Sequence, residues 1–294
     1  MKTKDVFRCG YATIVGKPNV GKSTLINLLL GEKLSIVTPK PQTTRHKILG
    51  ILNGENYQII FLDTPGLILE PKYKLQELMK KALYLALQDA DLVILMIEPE
   101  SEFQQEIELL THKKDTILVI NKIDLIQKDL LLPLINSVQK LYNFKEIIPI
   151  SAIKGDGTEQ LLDCIIKYLP ANPSYFPEDT LTDRSERFFV SEIIREKIFE
   201  EYGQEVPYST TVTIEEFKER EGRKDYIRAV IYVEKPSQKA ILIGKKGDKL
   251  KKIGKCARQE IEPFLGREVF LELWIKKKKK WKDDLRILNL TPID

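Results

Sequence analysis

Two hydrophobic patterns alternate along the first 170 residues. Short apolar or β-branched runs recur at 11–15, 46–52, 58–62, 92–97, 117–120 and 147–150, each of strand length. Between them lie stretches at 22–30, 74–88, 102–111, 129–141 and 158–168 with the apolar spacing of a helix face. Strand and helix repeated in this way predict an α/β fold, a doubly wound and mostly parallel sheet with helices on both faces. Ligands of such sheets sit outside the carboxyl ends of the strands.

The rhythm breaks at Leu169-Pro170-Ala171-Asn172-Pro173, and Pro177 follows. Prolines so close together cannot continue a helix and favour an extended link. Beyond the break the pattern reads helix at 184–202, strands at 210–216 and 225–233, and a short helix from 239. A glycine-bracketed turn, a helix at 248–264 and a strand at 268–275 complete it. The expected organisation is a domain over 1–170, a linker over 171–183 and a smaller α+β domain over 184–294, large enough for its own core.

Composition narrows the class. With 43% hydrophobic and 31% charged residues the chain is globular, which removes disorder, collagen and coiled coil. Three cysteines, widely separated and odd in number, argue against a disulfide framework and for a reducing compartment. Two histidines leave little material for a His-built metal site or a Ser-His-Asp triad. No apolar run approaches the ~18 residues of a membrane span, and residues 1–15 lack a signal-peptide core. A soluble, cytoplasmic chain is expected. The net charge is only +4, yet residues 235–282 hold 16 basic against 5 acidic residues, whereas 171–234 is net −6. Such a concentration invites a polyanion, although a solvated basic face would look the same.

Gly16-Lys17-Pro18-Asn19-Val20-Gly21-Lys22-Ser23 fits G-x-x-x-x-G-K-S where a strand hands over to a helix, with Thr24 next. Glycines let successive N–H groups curl around phosphate oxygens at the positive end of the helix. Lys22 is expected on the β- and γ-phosphates and the Ser23 hydroxyl on Mg²⁺. Asp63-Thr64-Pro65-Gly66 ends a later strand, where an acid can hold the metal through water and the Gly66 N–H can meet the γ-phosphate. Asn121-Lys122-Ile123-Asp124 closes another. A carboxylate such as Asp124 pairs with the N1–H and amine of guanine, donors that adenine does not offer together. Ser151, Ala152 and Ile153 follow the last strand and would pack beside the base. In this order the four segments point to GTP and GDP as ligands.

These motifs resemble a TRAFAC-class GTPase domain. The resemblance implies a first switch with a threonine that completes the magnesium shell when GTP is bound. Pro41-Gln42-Thr43-Thr44-Arg45 supplies two candidates; Thr44, directly before the arginine, is favoured, with Thr43 as the alternative. Catalytic roles then fall to Lys22, Thr44 and Gly66, and metal ligation to Ser23, Thr44 and Asp63. Leu67 stands where signalling GTPases carry a water-orienting glutamine, so slow intrinsic hydrolysis is expected. Asn19 matches an asparagine that coordinates potassium in some of these enzymes, which makes K⁺ a candidate activator; a loop-turn role is its competing reading.

Ile243-Gly244-Lys245-Lys246-Gly247, with Leu250 and Ile253, resembles the signature of a type II KH domain. In such domains the glycines let phosphates approach the backbone while an apolar groove accepts unpaired bases. Lys249, Lys251, Lys252, Lys255 and Arg258 crowd the following helix as RNA contacts or as a solvated face. Lys276–Lys280 with Trp274 and Trp281 either track RNA and stack bases or form a charged edge strand. The pairing of the two domains resembles the Era family of bacterial ribosome-assembly GTPases. That resemblance implies binding near the 3′ end of small-subunit (16S) ribosomal RNA, the 30S subunit as partner, a monomer, and peripheral attachment to the inner membrane without a transmembrane segment. Two rival readings are a GTPase aimed at a membrane or protein, and an RNA-binding protein with nucleotide as a structural ligand.

Overall fold

The computed structural model describes residues 6–100, 104–110, 114–203 and 205–290. Six strands form the first sheet: β1 (Arg8–Val15), β2 (Ile48–Gly54), β3 (Tyr57–Asp63), β4 (Leu92–Ile97), β5 (Asp115–Ile120) and β6 (Glu146–Pro149). Their order is β2-β3-β1-β4-β5-β6, all neighbours parallel except the β2–β3 hairpin. Helices α1 (Lys22–Leu30), α2 (Lys74–Asp89), α3 (Gln104–Leu109), α4 (Leu131–Val138) and α5 (Thr158–Tyr168) connect or flank the strands. Strand β4, LVILMI, is buried at every position because both faces of the sheet are covered, and this is why it reads as an unbroken apolar run. The predicted doubly wound α/β sheet is therefore present. The helix expected over 102–111 is described as Gln104–Leu109, residues 102, 103 and 111 lying outside the described residues.

Residues 171–176 pass beside β1 and β3, where the Tyr175 and Phe176 N–H groups donate to Gln58 Oε1, and residues 178–182 lie along the outer side of β2. The Ile51 N–H donates to Leu181 O at 2.8 Å, and the Thr182 hydroxyl to Leu49 O at 2.6 Å. This segment covers an edge that would otherwise expose unpaired backbone groups.

The second sheet has the order β7 (Thr210–Lys218), β8 (Asp225–Val233), β9 (Val269–Lys277), antiparallel then parallel. Helices α6 (Glu186–Glu201), α7 (Pro236–Ile243) and α8 (Asp248–Leu265) accompany it, and α9 (Leu285–Leu290) follows. Helix α7 begins three residues earlier than its apolar spacing suggests, because Pro236 is tolerated in the first turn and Gln238 caps the start. Helix α6 has buried residues on all sides. Phe188 and Phe189 join the core of the first sheet, whereas Val190, Ile194 and Ile198 join that of the second.

Trp281 corrects one expectation. It is fully buried and packs with Ile68, Leu75, Met79, Ile287 and Leu288, its indole N–H donating to Ser209 O at 2.9 Å. It cannot stack on a base, whereas Trp274 on β9 is 51% exposed.

Candidate nucleotide site and nucleic-acid groove

The loop between β1 and α1 lies at the carboxyl edge of the first sheet, as the topology requires. Its shape depends on glycine at Gly21, where φ is 105° and a Cβ would fall 2.2 Å from Asn121 Nδ2. Asn121 uses that space: its amide donates to Val20 O at 2.7 Å and its Oδ1 accepts from the Ala152 N–H at 2.9 Å. One side chain thus ties the loop, the end of β5 and the Ser151–Ile153 segment together. Val20 is anchored in the core.

Lys22 is buried, and its Nζ donates to Gly16 O at 3.0 Å and Lys17 O at 2.8 Å. Burial lowers its pKa to about 8, against the opposing pull of Asp63 and Glu106. The Ser23 hydroxyl donates to Asp63 Oδ2 at 2.8 Å and lies 3.0 Å from Thr44 Oγ1. The second Asp63 oxygen is buried without a hydrogen-bond partner, and burial raises the carboxyl's pKa. Three hard oxygen donors, one orphaned and anionic, converge at the start of α1; this donor set fits Mg²⁺. Thr43 points elsewhere, its hydroxyl donating to Lys40 O at 2.7 Å, so the arrangement favours Thr44.

Pro18, Asn19, Gly21, Thr24 and Gly66 line the same cleft. Gln42 of the switch stretch lines it too, as do Ile36, Val37 and Thr38, which no motif singled out although they fall in the loop that carries the candidate threonines. Thr64 turns inward and donates to Ile14 O at 2.8 Å, a strand-locking role, with Pro65 following before the loop to α2. Leu67 is partly buried and packs against the core cluster that contains Val15 and Leu83. Asn19 has φ 66° and its amide donates to Pro39 O at 2.8 Å, tethering the phosphate loop to the first switch. At the base end, Asp124 Oδ1 accepts from Ser151 Oγ at 2.7 Å, which holds its carboxyl below the usual range. Lys122 pairs with Glu98 at 2.5 Å, and Ile153 is 79% exposed, free to cover a planar ring.

In the second unit, Gly244 (φ 71°, ψ −177°) and Gly247 bracket Lys245 and Lys246 between α7 and α8. Beyond the turn a groove opens between α8, with Gly247, Leu250, Lys251, Gly254, Lys255 and Arg258, and β9, with Phe270 to Leu273. Ile253 is core, and Ile243 and Leu250 are partly buried against the same cluster. Lys249 stands over the Tyr202 ring at 5.0 Å, and Lys252 pairs with Glu201 at 2.5 Å on an exposed face. The groove's far wall was not legible as a site. Phe270, 56% exposed, offers a flat apolar face there.

Comparison with known proteins decides the family. Residues 11–122 match the model described as a 50S ribosome-binding GTPase, and residues 205–282 match a KH domain. The chain is 47% identical to the GTPase Era of Geotalea uraniireducens over 292 residues, 98% of each chain. It is 50% identical to the GTPase Era of a Geobacter species, strain M21, over 96% of this chain and 97% of that one. This chain belongs to the Era family of GTPases. Two solved Era structures agree in fold. A single-site variant of Aquifex aeolicus Era bound to GDP·AlF4⁻ superposes with a TM-score of 0.93 at 42% identity, covering 98% and 99% of the two chains. Era in complex with MgGDPNP and nucleotides 1506–1542 of 16S ribosomal RNA gives 0.94 at 43%, with the same coverage. As an Era GTPase, the protein hydrolyses GTP and carries a KH domain. No helix among the described residues is long and apolar enough to cross a membrane.

Proposed function

We propose that this chain uses GTP binding and hydrolysis to gate its grip on the 3′ region of 16S ribosomal RNA during small-subunit assembly and rRNA maturation. The observation that carries the nucleotide half is the convergence of Ser23, Thr44 and Asp63 oxygens beside the buried Lys22 ammonium. Residues 1–170 act as the GTPase domain, 171–183 as the linker and 184–294 as the KH unit. Gly16 to Thr24 cradle the phosphates, and Lys22 swings from its two carbonyl partners to the β- and γ-oxygens. Asp63 to Gly66 sense the γ-phosphate. Asp124 reads guanine, while Asn121, Lys122, Ser151, Ala152 and Ile153 shape its pocket. Ser23, Thr44 and Asp63 hold Mg²⁺, which when bound neutralises developing phosphate charge. Leu67, partly buried against the core, can neither accept nor donate a hydrogen bond to the attacking water, so turnover is slow without help. K⁺ near Asn19 is one source of help; equal single-turnover rates in K⁺ and Na⁺ would remove it.

Ile243 to Gly247 with Lys249, Lys251 and Lys252 hold the RNA backbone, and the α8–β9 groove takes the bases. The protein acts as a cytoplasmic monomer that attaches peripherally to the inner membrane. Sedimentation velocity and flotation with anionic vesicles test those two points. The central test is Lys22→Ala: GTP turnover should drop at least ~100-fold, and crosslinking in cells should no longer enrich the 16S 3′ end in a nucleotide-dependent way. Unchanged RNA capture in that variant would leave nucleotide as a mere structural ligand.

A further inference from the structure

Three consecutive residues of the first switch are handled by different parts of the molecule. The Thr43 carbonyl accepts from Arg195 Nη2 at 2.6 Å. Thr44 turns its hydroxyl toward Ser23. Arg45 sends its guanidinium the other way, donating to Thr210 O at 2.7 Å and Pro207 O at 3.2 Å, beneath Trp281. Arg195 belongs to α6, the helix shared by the two cores, and is 2% exposed. Its guanidinium is clamped by Glu192, with Nε to Oε1 at 2.8 Å and Nη2 to Oε2. A planar peptide carries the Thr43 carbonyl and the Thr44 nitrogen together. A fixed guanidinium on the carbonyl therefore fixes the peptide plane from which Thr44 projects. Two buried guanidiniums, Arg45 and Arg195, face one buried carboxylate, Glu192, so the cluster keeps an excess positive charge.

We propose that Arg195, clamped by Glu192, is a positioning residue through which the KH-side helix sets the GTP-dependent placement of Thr44. The proposal rests on the assignment of Thr44 as the switch threonine. Arg195 does not touch nucleotide; it decides whether the threonine is presented, so the metal-dependent preference for triphosphate over diphosphate depends on a helix of the other unit.

The test measures GDPNP and GDP affinities of the full chain with Mg²⁺ and with EDTA. Arg195→Met should reduce the GDPNP-over-GDP preference in Mg²⁺ about tenfold or more, while GDP affinity in EDTA stays unchanged. Glu192→Gln, which keeps an acceptor but frees the guanidinium, should give a smaller loss of the same kind and serves if Arg195→Met does not fold. Thr44→Ala should lose the preference as well, and the Thr44→Ala/Arg195→Met double variant should be no worse than Thr44→Ala alone. Additive losses in the double variant, or full preference in both the Arg195 and Glu192 variants while Thr44→Ala loses it, would overturn the positioning role. Full preference in Thr44→Ala would instead overturn the threonine assignment itself.

Discussion

His46 shows what one residue costs when two units close over it. It is buried against Phe188, ring centroids 5.4 Å apart, and its Nδ1 has no hydrogen-bond partner. Burial lowers its pKa to about 4; Glu192 works against this, and Arg195, Arg184 and Arg45 work with it. The unfolded chain binds a proton below about pH 6.5 and the folded one only near 4, so stability falls as pH drops through that window. The share lost by pH 4 is about 3 kcal/mol. His46→Gln should flatten the pH dependence of the urea midpoint between pH 6.5 and 4.5; an unchanged slope would refute the assignment. As a sequence position His46 looked like the start of a strand. Only the packing of α6 against it moved its titration away from that of a free imidazole. Lys22, by contrast, was legible from spacing alone, since a phosphate loop places that lysine wherever it folds.

The elements carry the binding surfaces, and they differ in how openly the sequence announces them. Helix α8 declares itself: Leu250, Ile253, Ala257 and Ile261 recur on one face, with Lys249, Lys251, Lys252 and Lys255 around it. The turn before it is more delicate. Gly247 has φ 80° and nothing within 4 Å of a built Cβ, so a side chain fits there at a left-handed strain of about 1–2 kcal/mol. Gly247→Asp should keep the fold and place a carboxylate where phosphates approach. The expected result is at least a tenfold loss of RNA affinity with GDP affinity intact, read by filter binding and fluorescent nucleotide titration. Equal RNA affinity would remove the groove from the binding surface. The partner wall of that groove, Phe270 to Leu273, was hidden because an alternating strand looks the same whether its outer face meets water or a base.

At the scale of the whole molecule, both the first switch and the start of α2 are held by the C-terminal third of the chain. Lys40 donates to Phe199 O and Tyr202 O, the latter at 2.5 Å, and Lys33 bridges Glu196 and Glu260. The Lys74 N–H, at the start of α2, donates to Asp283 Oδ1 at 2.9 Å, and Lys282 lies over Tyr73 at 4.8 Å. Trp281 joins the two sides, stacked by Arg45 from one and packed on Leu75 and Met79 of α2 from the other. Trp281→Ala should cost about 3–5 kcal/mol of stability and make RNA affinity indifferent to GTP versus GDP; calorimetry and nucleotide-matched RNA binding check the two halves. A stability loss with the nucleotide dependence preserved would confine Trp281 to packing. Read as sequence, Trp281 beside five lysines resembled a base-stacking platform, since composition cannot reveal which side of a ring faces protein. Local periodicity and motif spacing determined the two folds, the guanine-nucleotide chemistry and the KH turn, because backbone hydrogen bonding and phosphate geometry act over a few residues. Why Thr43, Arg45, Arg195 and Trp281 are held together was decided by tertiary structure, because the Arg45–Thr210 and Arg195–Thr43 contacts join positions more than 150 residues apart in the chain.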